Sequence, residues 1–142
     1  MALALTAYLS LTASVVHAGA LQNPKLGSPE RTALLDCLRE DKIYKDLAKE
    51  WKIKKVIFFQ VKNWVKDGWA YVQASPGTPD NKQNREPSEV VLHQVNGKWE
   101  IVDWVPDSIG PADNPDEAFK TWHEEFVKKH KGCPSEIFPK NF

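Results

Sequence analysis

Trp64-Val65-Lys66-Asp67-Gly68-Trp69-Ala70-Tyr71-Val72 decides the fold. Two runs rich in aromatic and β-branched residues flank Asp-Gly, a pair suited to a two-residue type I′ turn, which needs positive φ at both central positions. The pattern returns at Val90-Val91-Leu92-His93-Gln94-Val95 and Lys98-Trp99-Glu100-Ile101-Val102-Asp103-Trp104, joined by Asn96-Gly97. Two successive hairpins predict a four-stranded antiparallel meander. Strict alternation along the last run places Trp99, Ile101 and Asp103 on one face and Glu100, Val102 and Trp104 on the other.

Helices are predicted on both sides of this core in sequence. Ser28-Pro29-Glu30-Arg31 reads as a start, with Ser as N-cap, Pro at the first helical position and an acid in the first turn. Leu34, Leu35 and Leu38 form one apolar stripe, and Tyr44, Leu47, Ala48 and Trp51 continue it beyond a break near Glu40-Asp41. Two short helices or one kinked helix satisfy that pattern. Asn114-Pro115-Asp116-Glu117 opens a later helix with an apolar face of Phe119, Trp122, Phe126 and Val127. Lys128, Lys129 and Lys131 fill its end, and Gly132 is the expected residue just past it. The fold class is therefore α+β, with N- and C-terminal helices packed on one face of the sheet. Residues 75–87, polar and with three prolines, read as a long exposed connection.

Composition fits one ordinary domain: 142 residues, 42% hydrophobic and 27% charged, with zero formal net charge. Neutrality removes the simplest argument for binding nucleic acid or an anionic membrane. Residues 1–20 contain no Lys, Arg, Asp or Glu and end in Val16-His17-Ala18 and Ala18-Gly19-Ala20. This resembles the apolar region and small-residue cleavage site of a secretory signal, although no basic residue precedes Lys25. Residues 21–142 then form a single domain in the periplasm or outside the cell, with no membrane insertion after cleavage. Export and an even cysteine count lead to the expectation of a Cys37–Cys133 disulfide.

Catalytic signatures are missing. There is no G-x-S-x-G, no phosphate-cradling Gly-rich loop and no C-x-x-C, and His123-Glu124 lacks the second histidine of H-E-x-x-H because Val127 holds that place. Neither a metal nor a cofactor is expected, and His123 and His130 read as solvated helix residues. His93 and Asp103 across the second hairpin could make a catalytic dyad, but a strand histidine is usually satisfied by local partners instead. Charge is segregated instead: residues 49–66 hold six Lys against Glu50, and residues 100–125 hold eight acids against Lys120. Either the two regions neutralise each other, or the acidic one is a docking surface.

The run from Pro29-Glu30-Arg31 and Leu34-Leu35-Asp36 through Phe58 to Val61, Gly68 to Val72, Leu92 and Gly97 to Val102 resembles small secreted bacterial α+β domains. In outline it is similar to cystatin-like and NTF2-like folds. The resemblance implies no catalytic residues. The functional expectation is a non-enzymatic protein-binding domain, an inhibitor or immunity protein whose partner is a cationic cell-wall hydrolase. Asp103, Asp107, Asp113 and Asp116, with Asp80 and Arg85 of the 75–87 segment, are the candidate contact residues. The alternative is a small-ligand or enzymatic site in an aromatic pocket lined by Trp64, Trp69, Trp99 and Trp104.

Overall fold

The computed structural model describes residues 19–140; the signal-like residues 1–18 lie outside them. The elements run α1 (Pro29–Glu40), α2 (Lys42–Glu50), β1 (Ile57–Lys66), β2 (Trp69–Gly77), β3 (Ser88–Val95), β4 (Lys98–Trp104) and α3 (Pro115–Lys129), followed by a 3-10 turn at Ser135–Ile137. The strands form one antiparallel sheet in the order β1-β2-β3-β4. Both tight turns carry the expected backbone, with φ of 50° and 77° at Asp67-Gly68 and 52° and 75° at Asn96-Gly97. The α+β meander is thus built as its local turn chemistry dictates.

Capping sets the helix boundaries. The Ser28 hydroxyl accepts from the Arg31 amide, and the Asn114 side chain accepts from the Glu117 amide. Asp41 serves two helices: its amide donates to the Leu38 carbonyl to close α1, while its carboxylate accepts from the Ile43 amide to open α2. A single residue in extended conformation therefore makes the break. The end of α3 differs from expectation. His130 caps it, donating its amide to the Phe126 carbonyl, and Gly132 is not among the glycines with positive φ.

The helices do not share one face. Alternation along β2 sends Ala70, Val72 and Ala74 to one side, where they pack with Leu34, Leu35 and Leu38 of α1 and Tyr44 and Ala48 of α2. Trp69 and Tyr71 go to the other side, against Phe119 and Phe126 of α3, Cys133, Ile137 and Phe138. The sheet is the middle of three layers, because its central strands are apolar on both faces (Tyr71, Val72, Val90, Val91 and Leu92 are all almost wholly buried). A two-sided apolar strand needs a cover on each side.

Two bulges adjust which side chains face where. In β1 the register shifts between Phe59 and Lys62, with Gln60 at φ 51°, so Phe58, Val61 and Val65 all join the α1–α2 layer. In the β3–β4 pairing a shift accompanies Val91/Leu92, where Val91 opposes Asp103 and Leu92 opposes Ile101. Trp104 consequently rejoins Trp99 and Ile101 on the α1–α2 side, while Val102 faces α3, so the strict alternation expected for this strand fails.

The expected disulfide is absent: both cysteines are free thiols. Cys37 packs with the α1–α2 layer and Cys133 is buried in the α3 layer. The sheet stands between them, whereas a disulfide needs Cα atoms within about 7 Å.

Candidate functional site

Strand order converts the charge pattern into geometry. β1 and β4 are the two edges of the sheet. The lysines of residues 49–66 lie in α2, the link to β1 and β1 itself, while the acids of residues 100–125 lie on β4, the following loop and α3. Among the described residues no ion pair joins the two regions. Lys66 pairs with Glu136 at 2.8 Å, and Glu50 receives Arg85 at 2.8 Å.

β2 and β4 run in the same direction, so the 78–87 and 105–114 segments leave the sheet at the same end, with β3 between their strands. That spacing is roughly 10 Å, two strand separations. The topology brings all six candidate contact residues to, or next to, this end. Asp103, Asp107, Asp113 and Asp116 are exposed and carry no ion pair. Asp103 accepts the Trp104 amide at 2.9 Å, and Asp116 lies in the first turn of α3. Their loop is anchored from beneath by buried Val105 and Ile109, and the Val105 amide donates to the Glu89 carbonyl at 2.9 Å.

Asp80 and Arg85 are differently placed. The 75–87 segment is no slack connection, because β2 continues to Gly77, which bridges Asn84, and Thr78 and Gln83 close the turn between them. Asp80 accepts the Thr78 hydroxyl at 2.6 Å and the Lys82 amide, which hold its carboxyl below its ordinary range. The Arg85 guanidinium lies over the Trp51 ring at 5.5 Å as well as pairing with Glu50. Both residues brace the loop.

The four tryptophans of the alternative pocket are divided by the sheet. Trp64 and Trp69 belong to the α3 layer, Trp99 and Trp104 to the α1–α2 layer. His93 stacks on Trp69 at 4.1 Å and opposes Glu100, so it does not pair with Asp103. His123 and His130 are not solvated in the way expected: His123 lies 4.2 Å from the Phe138 ring and His130 lies 4.5 Å from Phe126. His123 Nε2 is buried without a hydrogen-bond partner, and burial pushes the imidazole toward its neutral form. Among the described residues there is no group of three or more His, Cys, Asp or Glu arranged to hold a metal ion. No helix among them is long and apolar enough to cross a membrane.

One site escaped the sequence reading. A cleft of about 870 Å³ opens on the α1–α2 side, bounded by α1, α2, residues 53–56 and the start of β4. Tyr44, Ala48, Val56 and Trp99 form its floor, and six basic side chains surround it against Asp36 and Glu40. The surplus of lysine after Lys49 was the available signal, but only tertiary packing brings Lys54 and Lys55 to the same cleft as Lys98. No family model, curated protein or solved structure matches the chain.

Proposed function

We propose that this chain is a non-catalytic binding domain that docks a cationic protein surface through the acidic loops at one end of its sheet. The role that fits best is an inhibitor or immunity protein of the cell envelope, with a cell-wall-degrading enzyme as partner. An enzyme that works on an anionic polymer gains from a positive cleft, because focused potential concentrates its substrate. Exposed, unpaired acids beside braced loops are complementary to such a cleft.

The observation that carries this reading is that Asp103, Asp107, Asp113 and Asp116 are all exposed and, among the described residues, none of them is engaged in an ion pair. Unpaired acids on loops and an edge strand steer encounter and fix register more than they add affinity. Immobilised protein, wild type beside a variant with all four changed to Asn, tests it at low salt on an envelope extract. The reading expects a basic protein that the wild type retains, salt releases and the variant fails to hold. Retention of nothing, or of the same proteins by both, counts against it.

A further inference from the structure

We infer that the α1–α2 cleft is a second binding site, for a small amphiphilic organic anion: a carboxylate carried on an apolar body. Its size falls within the range of about 300–1,000 Å³ usual for small-molecule sites. Its chemistry is two-part. Tyr44, Ala48, Ile53, Val56 and Trp99 supply apolar wall and floor, and Arg39, Lys45, Lys49, Lys54, Lys55 and Lys98 supply positive charge at the edge.

These cations are not equivalent. Arg39 is committed, donating to Asp36 at 2.7 Å and, through Nε, to the Val56 carbonyl at 3.0 Å. Lys45 pairs with Glu40 at 2.8 Å, and Lys49 lies 3.9 Å from Asp46. Lys54, Lys55 and Lys98 are exposed and have no ion pair, although they line the same cleft from two separate chain segments. Unpaired ammonium groups that line one cleft with apolar side chains are complementary to an anion with an apolar tail. A neutral apolar ligand leaves the lysines unused, and an inorganic anion leaves the floor unused.

Cys37 provides a reporter inside the site. Its thiol donates to the Trp99 carbonyl at 3.3 Å and lines the cleft, half-buried. Cys133, on the far side of the sheet, is buried and its thiol is pushed up to about 12 by burial. Native alkylation therefore reads Cys37.

Dodecanoate below its micelle concentration is the probe, with dodecanol and dodecyltrimethylammonium as neutral and cationic counterparts. Binding is measured by calorimetry, and occupancy by the rate at which iodoacetamide modifies Cys37. The expected result is dodecanoate binding that slows Cys37 modification and weakens with salt, with both counterparts at least tenfold weaker. The triple variant Lys54→Ala/Lys55→Ala/Lys98→Ala should bind dodecanoate about tenfold or more weakly, since each exposed charge pair contributes up to about fivefold. Equal binding of dodecanol, unchanged affinity in the triple variant, or unprotected Cys37 overturns the inference. So does protection by an acidic peptide such as oligoglutamate where dodecanoate gives none, which would make the cleft a peptide site. The four acids of the docking loops lie outside the cleft, so failure here leaves the capture experiment unaffected.

Discussion

Cys37 and Cys133 are held on opposite faces of one β-sheet, the first half-buried on α1 and the second buried just past the end of α3. Their separation has a chemical consequence, because thiol reactivity follows access and thiolate fraction. Burial pushes both thiols up, Cys133 much further, while Lys98 partly offsets the effect at Cys37. Under native conditions iodoacetamide should modify Cys37 alone, and Cys133 only after unfolding. Mass spectrometry checks this, and a native mass lower by two hydrogens with no free thiol contradicts it.

The two-sided sheet makes its central strands the most sensitive positions. Leu92 is fully buried in the α1–α2 layer. Leu92→Ala should cost about 2–5 kcal/mol, the usual range for emptying a core leucine site. Urea unfolding reads it directly, and a loss under 1 kcal/mol would mean this layer is not tightly packed.

Asp41 holds two helix ends, yet its amide bond to Leu38 survives any side-chain change. Asp41→Ala therefore removes only the N-cap of α2 and should cost about 1 kcal/mol. Asp41→Asn should restore most of it, because an amide oxygen also accepts from the Ile43 amide. Equal losses in both variants would show that charge rather than capping is at work.

His123 gives the fold an acid limit. Burial lowers its folded-state pKa from the ordinary 6.5, with Glu124 opposing part of that shift. The unfolded chain then binds the proton more readily, so stability is complete above the ordinary value and declines as pH falls through it toward the lowered one. Denaturant midpoints at pH 7.5 and 5 should fall less for His123→Gln than for the wild type. An identical fall in both would remove His123 as the cause.

Export is part of the proposal, and it predicts a particular new terminus. The Gly19 amide donates to the Asp67 carboxylate at 2.7 Å, and Gln22 bridges Val65 through both of its backbone groups. Cleavage after Ala18 would turn that amide into an ammonium group facing the same carboxylate. N-terminal sequencing of secreted material should therefore read Gly19 first. A secreted chain beginning at Met1 contradicts cleavage after Ala18, and one beginning at Leu21 removes the Asp67 contact.

Local chemistry was legible, and sidedness was not. Asp67-Gly68 and Asn96-Gly97 specify their turns within two residues, and Ser28, Asp41 and Asn114 specify helix ends within three. The bulges at Gln60 and near Val102 carry no such mark, yet each reverses the facing of the residues beyond it. The second bulge is why strict alternation pairs Trp104 with Val102 although the two face opposite layers, and the single aromatic pocket fails without any bulge, because regular pairing already sends Trp69 and Trp99 to opposite faces. The disulfide failed for a related reason: an even cysteine count carries no information about which side of a sheet each thiol occupies. Of the candidate site, the acids were visible as a charge run, and strand order then supplied their shared end. The cleft was invisible because its lysines come from segments that meet only in the folded chain.

The central claim concerns electrostatic docking, and the most direct measurement is the association rate constant with the captured partner as a function of ionic strength. For the wild type it should fall steeply as salt rises, and the Asp103, Asp107, Asp113 and Asp116→Asn variant should associate on the order of 10-fold or more slowly at low salt. A rate indifferent to both salt and the four substitutions would contradict the account.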